Sequence, residues 1–376
     1  MNIALVHEWL VDLTGSEEVV AAIGELYPQA PLYTLFYHPP ALKGTPFEHR
    51  TLHASWLQHW PGIHRYYRYL FPLFPRAVES LDLRPYEVIL SSSHSFIKGL
   101  LRNADQLHIC YCHTPIRYAW DLYHDYLETL SPVKRFLAAR SLHKIRQWDL
   151  STVYRVDHFI ANSRYVARRI WKTYGRKATV IYPPVRTDRF PLTPQKDRYF
   201  VAVSRFVPYK RMDLVVAAFR EMPDLRLVVV GDGPERARLH KLARGARNIE
   251  FTGRLDHQAL QEVLCRARAL VFPALEDFGI VPVEAQACGT PVIAYGRGGA
   301  RETVVDGQTG LFFEEQTPAA VREAVQRFLQ REDTFDPAAI RRNAERFSRE
   351  VFLQTYRKTV ETWIQEHRAW QRGERP

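Results

Sequence analysis

The sequence is short of sulfur: 376 residues hold four cysteines and three methionines. Four cysteines are too few to staple a chain of this length, and they imply free thiols and a cytosolic setting. Cys110, Cys112 and His113 lie close together, but C-x-C is not a common zinc spacing. A buried strand is the plainer reading, and no metal site is expected. No apolar run reaches the roughly 18 residues that a membrane span needs. The opening MNIALVHEWL lacks the basic start and long apolar stretch of a signal peptide and reads as a first buried strand. Low-complexity segments and short-period repeats are absent as well. What the chain does have is core-forming material, 46% hydrophobic against 25% charged residues, in a length that suits two domains. Its net charge of +11 favours anionic partners: nucleotide phosphates, lipid head groups or nucleic acid. An arginine-rich soluble surface gives the same total.

Short β-like runs alternate with helix-like segments, the pattern of an α/β protein with parallel sheets. Strands are expected at residues 3–7, 87–91, 106–112, 158–161 and 179–182. After a polar, proline-containing pause at residues 191–198 the pattern restarts, with strands at 199–203, 225–230, 249–252, 269–272 and 292–294. The restart reads as a linker between two similar domains, residues 1–190 and 191–350. Residues 351–376 begin with a long helical pattern that carries Phe352, Tyr356, Val360, Trp363 and Ile364 on one face. This helix can cap the second domain or cross back to the first.

The stretch EDFGIVPVEAQACGTPVIA, residues 276–294, places Glu276, a glycine turn and a helix start between two apolar runs. A loop at a strand end meets a helix N-terminus there, and anions bind at such places. Glu284 follows one to two helical turns later, so both carboxylates can reach one site; two solvated helix carboxylates are the alternative. SRFVPYKR, residues 204–211, puts Arg205 and Lys210 just after a strand, where a diphosphate suits an open α/β sheet. VVVGDGPERARL and FTGRL add two further strand-to-glycine turns. Gly253, Arg254 and Leu255 of the latter can hold a nucleobase through backbone groups or form an ordinary turn. Near the start, Thr14 and Gly15 precede a helix whose Ser16 can act as N-cap, or whose small residues let a ligand approach. His113 falls at a strand end, as a structural hydrogen-bonder or a site residue. Residues 64–79 interleave tyrosine, phenylalanine and arginine, and residues 134–146 carry Arg140, Lys144 and Arg146. The mixture suits a membrane–water interface, or equally a core-facing aromatic segment beside a solvated basic helix. No nucleic-acid recognition signature accompanies it.

Taken in order, these motifs resemble the retaining glycosyltransferases of family 4, and the resemblance extends over nearly the whole chain. SRFVPYKR, VVVGDGPE, FTGRL and EDFGIVPVEAQACGTPVIA carry it most strongly. HEWLVDLTGSEEV, SSSHSFIKG, ICYCHTPIRYAWD and DHFIANSRYVARRI are similar to bacterial mannosyltransferases of cell-surface polysaccharide assembly. The resemblance implies a GT-B fold, two Rossmann-like parallel-sheet domains facing a deep interdomain cleft. It implies that Glu276 bonds donor-sugar hydroxyls and that Glu284 binds the ribose diol. It implies that the backbone N–H groups of Phe278, Gly279 and Ile280 face sugar and phosphate. Arg205 and Lys210 would neutralise the diphosphate, so that no metal or other cofactor is needed, and His113 would lie near the transferred sugar. Gly15 would let its loop approach the diphosphate. Where the family often has two glycines, Thr14-Gly15 stands here, and threonine tolerates positive φ poorly.

The expected activity is therefore retaining transfer of a hexose, with GDP-mannose the leading donor, to a glycan or polyprenyl-linked glycan. The expected location is cytoplasmic, with peripheral placement on the inner face of the cell membrane through residues 64–79 and 134–146. A UDP- or ADP-sugar donor and a GT-B sugar-nucleotide epimerase are the alternatives within enzymes. A basic nucleic-acid-binding protein is the alternative from another class; nucleic acid is not an expected partner.

Overall fold

Two neighbouring parallel strands whose crossover connections run to opposite sides leave their C-terminal ends uncovered, and each half of this chain contains one such pair. The computed structural model describes residues 2–11 and 15–374. It divides into two compact units, Met1–Pro183 together with Phe352–Pro376, and Pro184–Val351.

The first unit is built on β1 (Ile3–His7), β2 (Leu32–Thr34), β3 (Leu52–Ala54), β4 (Val88–Ser93), β5 (Leu107–Cys112), β6 (His158–Ala161) and β7 (Ala178–Val180). The strands are parallel, in the order β3-β2-β1-β4-β5-β6-β7, so the sequence order reverses between β1 and β4. Side chains alternate between faces along a strand. Ala4 and Val6 accordingly join one apolar cluster with Phe74, Ile89 and Phe96, while Leu5 joins another with Leu90, Ile109 and Tyr111. The central strands β4 and β5 are buried at every residue, as expected of a parallel sheet covered on both faces.

The helix Arg349–Gln371 begins in the second unit and ends on the first. Phe352, Tyr356, Val360 and Ile364 recur every four residues, and all four are buried in the cluster that contains Leu5 and Tyr111. At about 1.5–3 kcal/mol for each large apolar side chain removed from water, that stripe is a substantial share of the unit's stability.

The second unit holds β8 (Tyr199–Val203), β9 (Arg226–Val230), β10 (Ile249–Gly253), β11 (Ala269–Phe272), β12 (Val292–Tyr295) and β13 (Gly310–Phe313). They too are parallel, in the order β10-β9-β8-β11-β12-β13, and the order reverses between β8 and β11. Residues 191–197 carry neither helix nor strand. The short strands β2, β3 and β13 lie outside the sequence reading.

One expectation is corrected. The cysteines are not all free thiols: Cys265 and Cys288 are joined as a disulfide, with Cα atoms 4.8 Å apart, and Cys110 and Cys112 remain free and buried. A count of cysteines reflects the compartment, whereas pairing is decided by which helix ends the fold brings together. Cys265 lies in the last turn of the helix His257–Arg266, and Cys288 caps the helix Ile280–Ala287. Lys196 draws the same ends together, its Nζ donating to the carbonyls of Cys265 and Cys288 at 2.8 and 3.1 Å and to Thr290 Oγ1 at 2.8 Å. Protein purified without reductant and then denatured should react with a thiol reagent at Cys110 and Cys112 only, and at all four cysteines after reduction. Four reactive thiols before reduction would exclude the pairing.

Candidate active site

The reversal between β8 and β11 gathers the chemistry of the second unit. Arg205 and Lys210 lie on the connection that leaves β8, and Glu276 lies on the one that leaves β11. Lys210 Nζ donates to Glu276 Oε1, in an ion pair that is largely withdrawn from solvent. Lys210 also lies over the Tyr209 ring at 5.4 Å, within cation–π range. Arg205 is exposed, with no side-chain partner among the described residues. Arg211, next to Lys210, has φ 52°, the one positive φ at a non-glycine position among the described residues. Backbone strain of this kind is held in place only by its surroundings, and it concentrates at functional sites.

Glu276 is positioned through its backbone. Its carbonyl accepts from Gly299 N at 2.9 Å. The loop of Gly298 and Gly299 packs so closely that a Cβ on Gly299 would overlap the Phe278 backbone. On the other side of β8, a Cβ on Gly231 would overlap the Ser204 carbonyl, so that glycine lets the loop after β9 press against the loop bearing Arg205. Phe278 turns its ring inward, edge-on to Phe347 at 5.5 Å. Gly279 then takes φ 91° and opens the helix Ile280–Ala287. The backbone N–H groups of Gly279 and Ile280 donate to no backbone carbonyl among the described residues. With the positive end of the helix they make a corner of the kind at which anions bind. Glu284 is half-buried on that helix. Gln286, fully buried, locks the helix by donating to Pro282 O and Thr303 O and accepting from Asn343 Nδ2 at 2.7 Å. Gly253, Arg254 and Leu255 lie at the end of β10, on the far side of β9 from β8; the Gly253 carbonyl accepts from Gly231 N at 2.9 Å.

The first unit carries its own group beside its reversal, one strand beyond β4. His113 follows β5, and its Nε2 pairs with Ser92 Oγ at 2.9 Å. Burial, reinforced by the neighbouring His94 and His7, pushes its pKa well below the usual histidine value, so the ring is neutral at pH 7. Gly15 opens the helix Gly15–Leu26. Thr14 lies outside the described residues. Sequence reasoning missed several neighbours. His7, at the end of β1, pairs with the Ser92 carbonyl at 3.0 Å and with Glu17 Oε1 at 3.4 Å, and all but Ser92 belong to the opening motif. Glu8 is fully buried, and its Oε1 accepts from Ser93 Oγ, Ser95 N and Ile97 N at 3.0, 2.7 and 3.1 Å. Partners 85–89 residues away leave no local signal.

Two parallel-sheet units, each with polar side chains gathered at its strand ends, define the class. The family model described as "Glycosyl transferases group 1" matches residues 185–347, and that described as "Glycosyltransferase Family 4" matches residues 28–189. The chain belongs to the family 4 glycosyltransferases of the GT-B fold. Among its relatives, a GDP-mannose-dependent α-(1-6)-phosphatidylinositol monomannoside mannosyltransferase of Mycolicibacterium smegmatis is 35% identical over 193 residues, 43% of this chain and 50% of that one. A glycogen synthase of Mycobacterium tuberculosis is 31% identical over 256 residues, 63% of this chain and 59% of that one. The chain thus spans about half to three-fifths of the length of the curated relatives it matches. Among solved structures, Anabaena HepE in complex with UDP superposes with TM-score 0.74 at 16% identity, over 96% of this chain and 100% of that one. The sucrose-phosphate synthase of Thermosynechococcus elongatus superposes with TM-score 0.72 at 20% identity, over 97% and 100%.

The glycine contact gives a direct test. Gly299→Ala should displace the loop that holds Glu276, destabilise the fold by about 1–3 kcal/mol and weaken nucleotide binding at least tenfold by calorimetry. Parent affinity in that variant would show that the contact does not position the site.

Proposed function

We propose that the protein transfers a hexose from a nucleotide sugar to a glycan or polyprenyl-linked glycan, with retention of configuration and without a metal. The observation that carries this reading is the Lys210–Glu276 pair at the β8/β11 reversal, beside the open N–H groups of Gly279 and Ile280. In this scheme Arg205, Lys210 and that helix start take up the charge that develops on the leaving diphosphate, often the largest catalytic term. Glu276 bonds sugar hydroxyls, and its contact with Lys210 keeps sugar and phosphate recognition in register. Glu284 holds the ribose diol, and the turn Gly253-Arg254-Leu255 meets the base. His113 and the loop of Gly15 serve from the first unit. Attack on the face that the diphosphate leaves, with the leaving phosphate assisting deprotonation of the acceptor, accounts for retention without a protein nucleophile.

GDP-mannose is the favoured donor, supported by the named donor of the Mycolicibacterium relative. A UDP-sugar is the competitor, since the Anabaena structure holds UDP. A thermal-shift panel of GDP-mannose, UDP-glucose and ADP-glucose separates them, because a ligand at a hundred times its Kd adds about 2.7 kcal/mol to the native state. GDP-mannose should give the largest shift, and Glu284→Ala should abolish it. A larger shift with UDP-glucose would overturn the mannose assignment. An undiminished shift in Glu284→Ala would overturn the site assignment.

The acceptor side favours the inner face of an anionic membrane. No helix among the described residues is long and apolar enough to cross a bilayer. Val133, Phe136 and Leu137 are 72%, 70% and 57% exposed at the start of the helix Pro132–Ser151. Exposed Lys134, Arg140 and Lys144 stand among them, and Tyr66 and Tyr69 are exposed in residues 64–79. Apolar tips ringed by basic groups match a bilayer surface carrying negative charge. The protein should float with vesicles containing phosphatidylglycerol at low salt, and Phe136→Ser with Leu137→Ser should cut the bound fraction severalfold. Flotation that is equally absent with neutral and anionic vesicles would remove the membrane contact.

A further inference from the structure

His113 is the one imidazole of the first unit used so far, yet a second stands beside it. His94 follows β4 directly, at the β1/β4 reversal, where open α/β sheets receive their ligands. Its ring centre lies 4.7 Å from that of Trp9, edge to face, 5.9 Å from that of His7 and 6.5 Å from that of His113. The other histidines on and just after β1 and β5 spend ring nitrogens on the protein. His7 uses both, on the Ser92 carbonyl and Glu17, and His108 uses both, on Ser91 Oγ and the Arg155 carbonyl. His113 uses Nε2 on Ser92. The His94 ring makes no hydrogen bond to another residue among the described residues, and it is only half-buried, so part of it stays accessible.

The backbone around this ring is held unusually firmly. Glu8 Oε1 gathers Ser93 Oγ, Ser95 N and Ile97 N, one residue before His94 and one and three after it. The other carboxylate oxygen, Oε2, is buried without a partner. Just beyond, Lys98 is almost fully buried and donates to the Asp149 carbonyl at 2.6 Å and to Thr152 Oγ1 at 2.8 Å, with Asp149 Oδ1 at 2.9 Å. Burying a carboxylate and an ammonium costs several kcal/mol each before pairing. A plain strand-to-helix turn needs neither. Such support is what fixes a binding side chain in place.

We propose that His94 is a substrate-contacting residue whose imidazole hydrogen-bonds a sugar hydroxyl presented to the first unit. The inference rests on the glycosyl-transfer reading above. Burial lowers the pKa of His94 as it does that of His113, so at pH 7 each ring offers one N–H donor and one acceptor nitrogen. A hydroxyl is itself both donor and acceptor, and it satisfies such a ring without a charge. The hydroxyl belongs either to the donor's sugar or to the acceptor, and the test separates the two.

The test uses the full chain with His94→Phe, which keeps a ring against Trp9 and removes both nitrogens, and His94→Asn, which returns a donor and an acceptor. Calorimetry compares affinity for GDP with that for GDP-mannose, or for the pair that the thermal-shift panel selects. Turnover is followed as hydrolysis of the sugar nucleotide and as transfer to octyl α-mannoside. In His94→Phe, GDP affinity should stay at the parent value while turnover falls at least tenfold, and His94→Asn should recover part of the loss. A contact to the donor's sugar lowers GDP-mannose affinity and hydrolysis. A contact to the acceptor leaves both unchanged and raises KM for the mannoside. If His94→Phe equals the parent in sugar-nucleotide affinity, hydrolysis and transfer, the proposal is wrong. Equal loss of GDP and GDP-mannose affinity in both variants also overturns it, since the ring would then be structural. A parent protein that binds no nucleotide at all would instead refute the glycosyl-transfer reading.

Discussion

A parallel strand delivers its chain to the same edge of the sheet as its neighbours, and every connection must then return over one face or the other. Where strand order reverses, two successive returns diverge, and the edge between them stays bare. This constraint places several of the groups assigned a role here. In the second unit it puts the connection from β8, with its two cations, next to the connection from β11, with Glu276. In the first unit it puts His7 and Glu8 next to the Ser92–His94 end of β4. The two units share this arrangement and differ in what lines it: a lysine–glutamate pair in one, imidazoles and a buried carboxylate in the other.

The two sites were unequally visible in the sequence for the same reason. SRFVPYKR and EDFGIVPVE each keep their functional residues within a few positions of a strand end, so strand, turn and charge can be seen together. Lys210 and Glu276 still come from segments 66 residues apart, and their contact appears only in the fold. Glu8 had no such frame. Its carboxylate meets groups 85–89 residues away, and its own neighbours His7 and Trp9 give no hint of that. The buried runs at β1, β8, β9 and β11 were legible because both faces of a parallel sheet are covered and the apolar run is continuous. Leu32–Thr34 and Leu52–Ala54 were not, because each is a run of only three residues. The pairing of Cys265 with Cys288 depends on two helices ending side by side, which no cysteine count can express.

Charge is used in two different ways. Many arginines stand at the surface in pairs such as Arg84–Asp82 and Arg226–Glu250, which contribute little beyond solubility. A few charges are buried deliberately: Glu8, Lys98 and Asp149 have almost no exposed surface. Trp120 Nε1 and the Tyr174 hydroxyl donate to the Asp149 carboxylate beside Lys98. The bonds from Lys98 to Asp149 and Thr152 tie the end of the helix Pro132–Ser151, whose start carries the exposed apolar tips, to the loop that bears His94. A helix with exposed apolar tips and the loop of His94 are thus fastened within one unit through the buried Lys98–Asp149 pair.

The helix Arg349–Gln371 has a further consequence during synthesis. The second unit is a continuous stretch of chain, but the first is not: its core lacks Phe352, Tyr356, Val360 and Ile364 until the last part of the chain has been made. On the ribosome, the later-encoded unit is therefore the first that can close completely, while the earlier one waits with an apolar groove open. The order in which the units can be completed is thus the reverse of the order in which they begin.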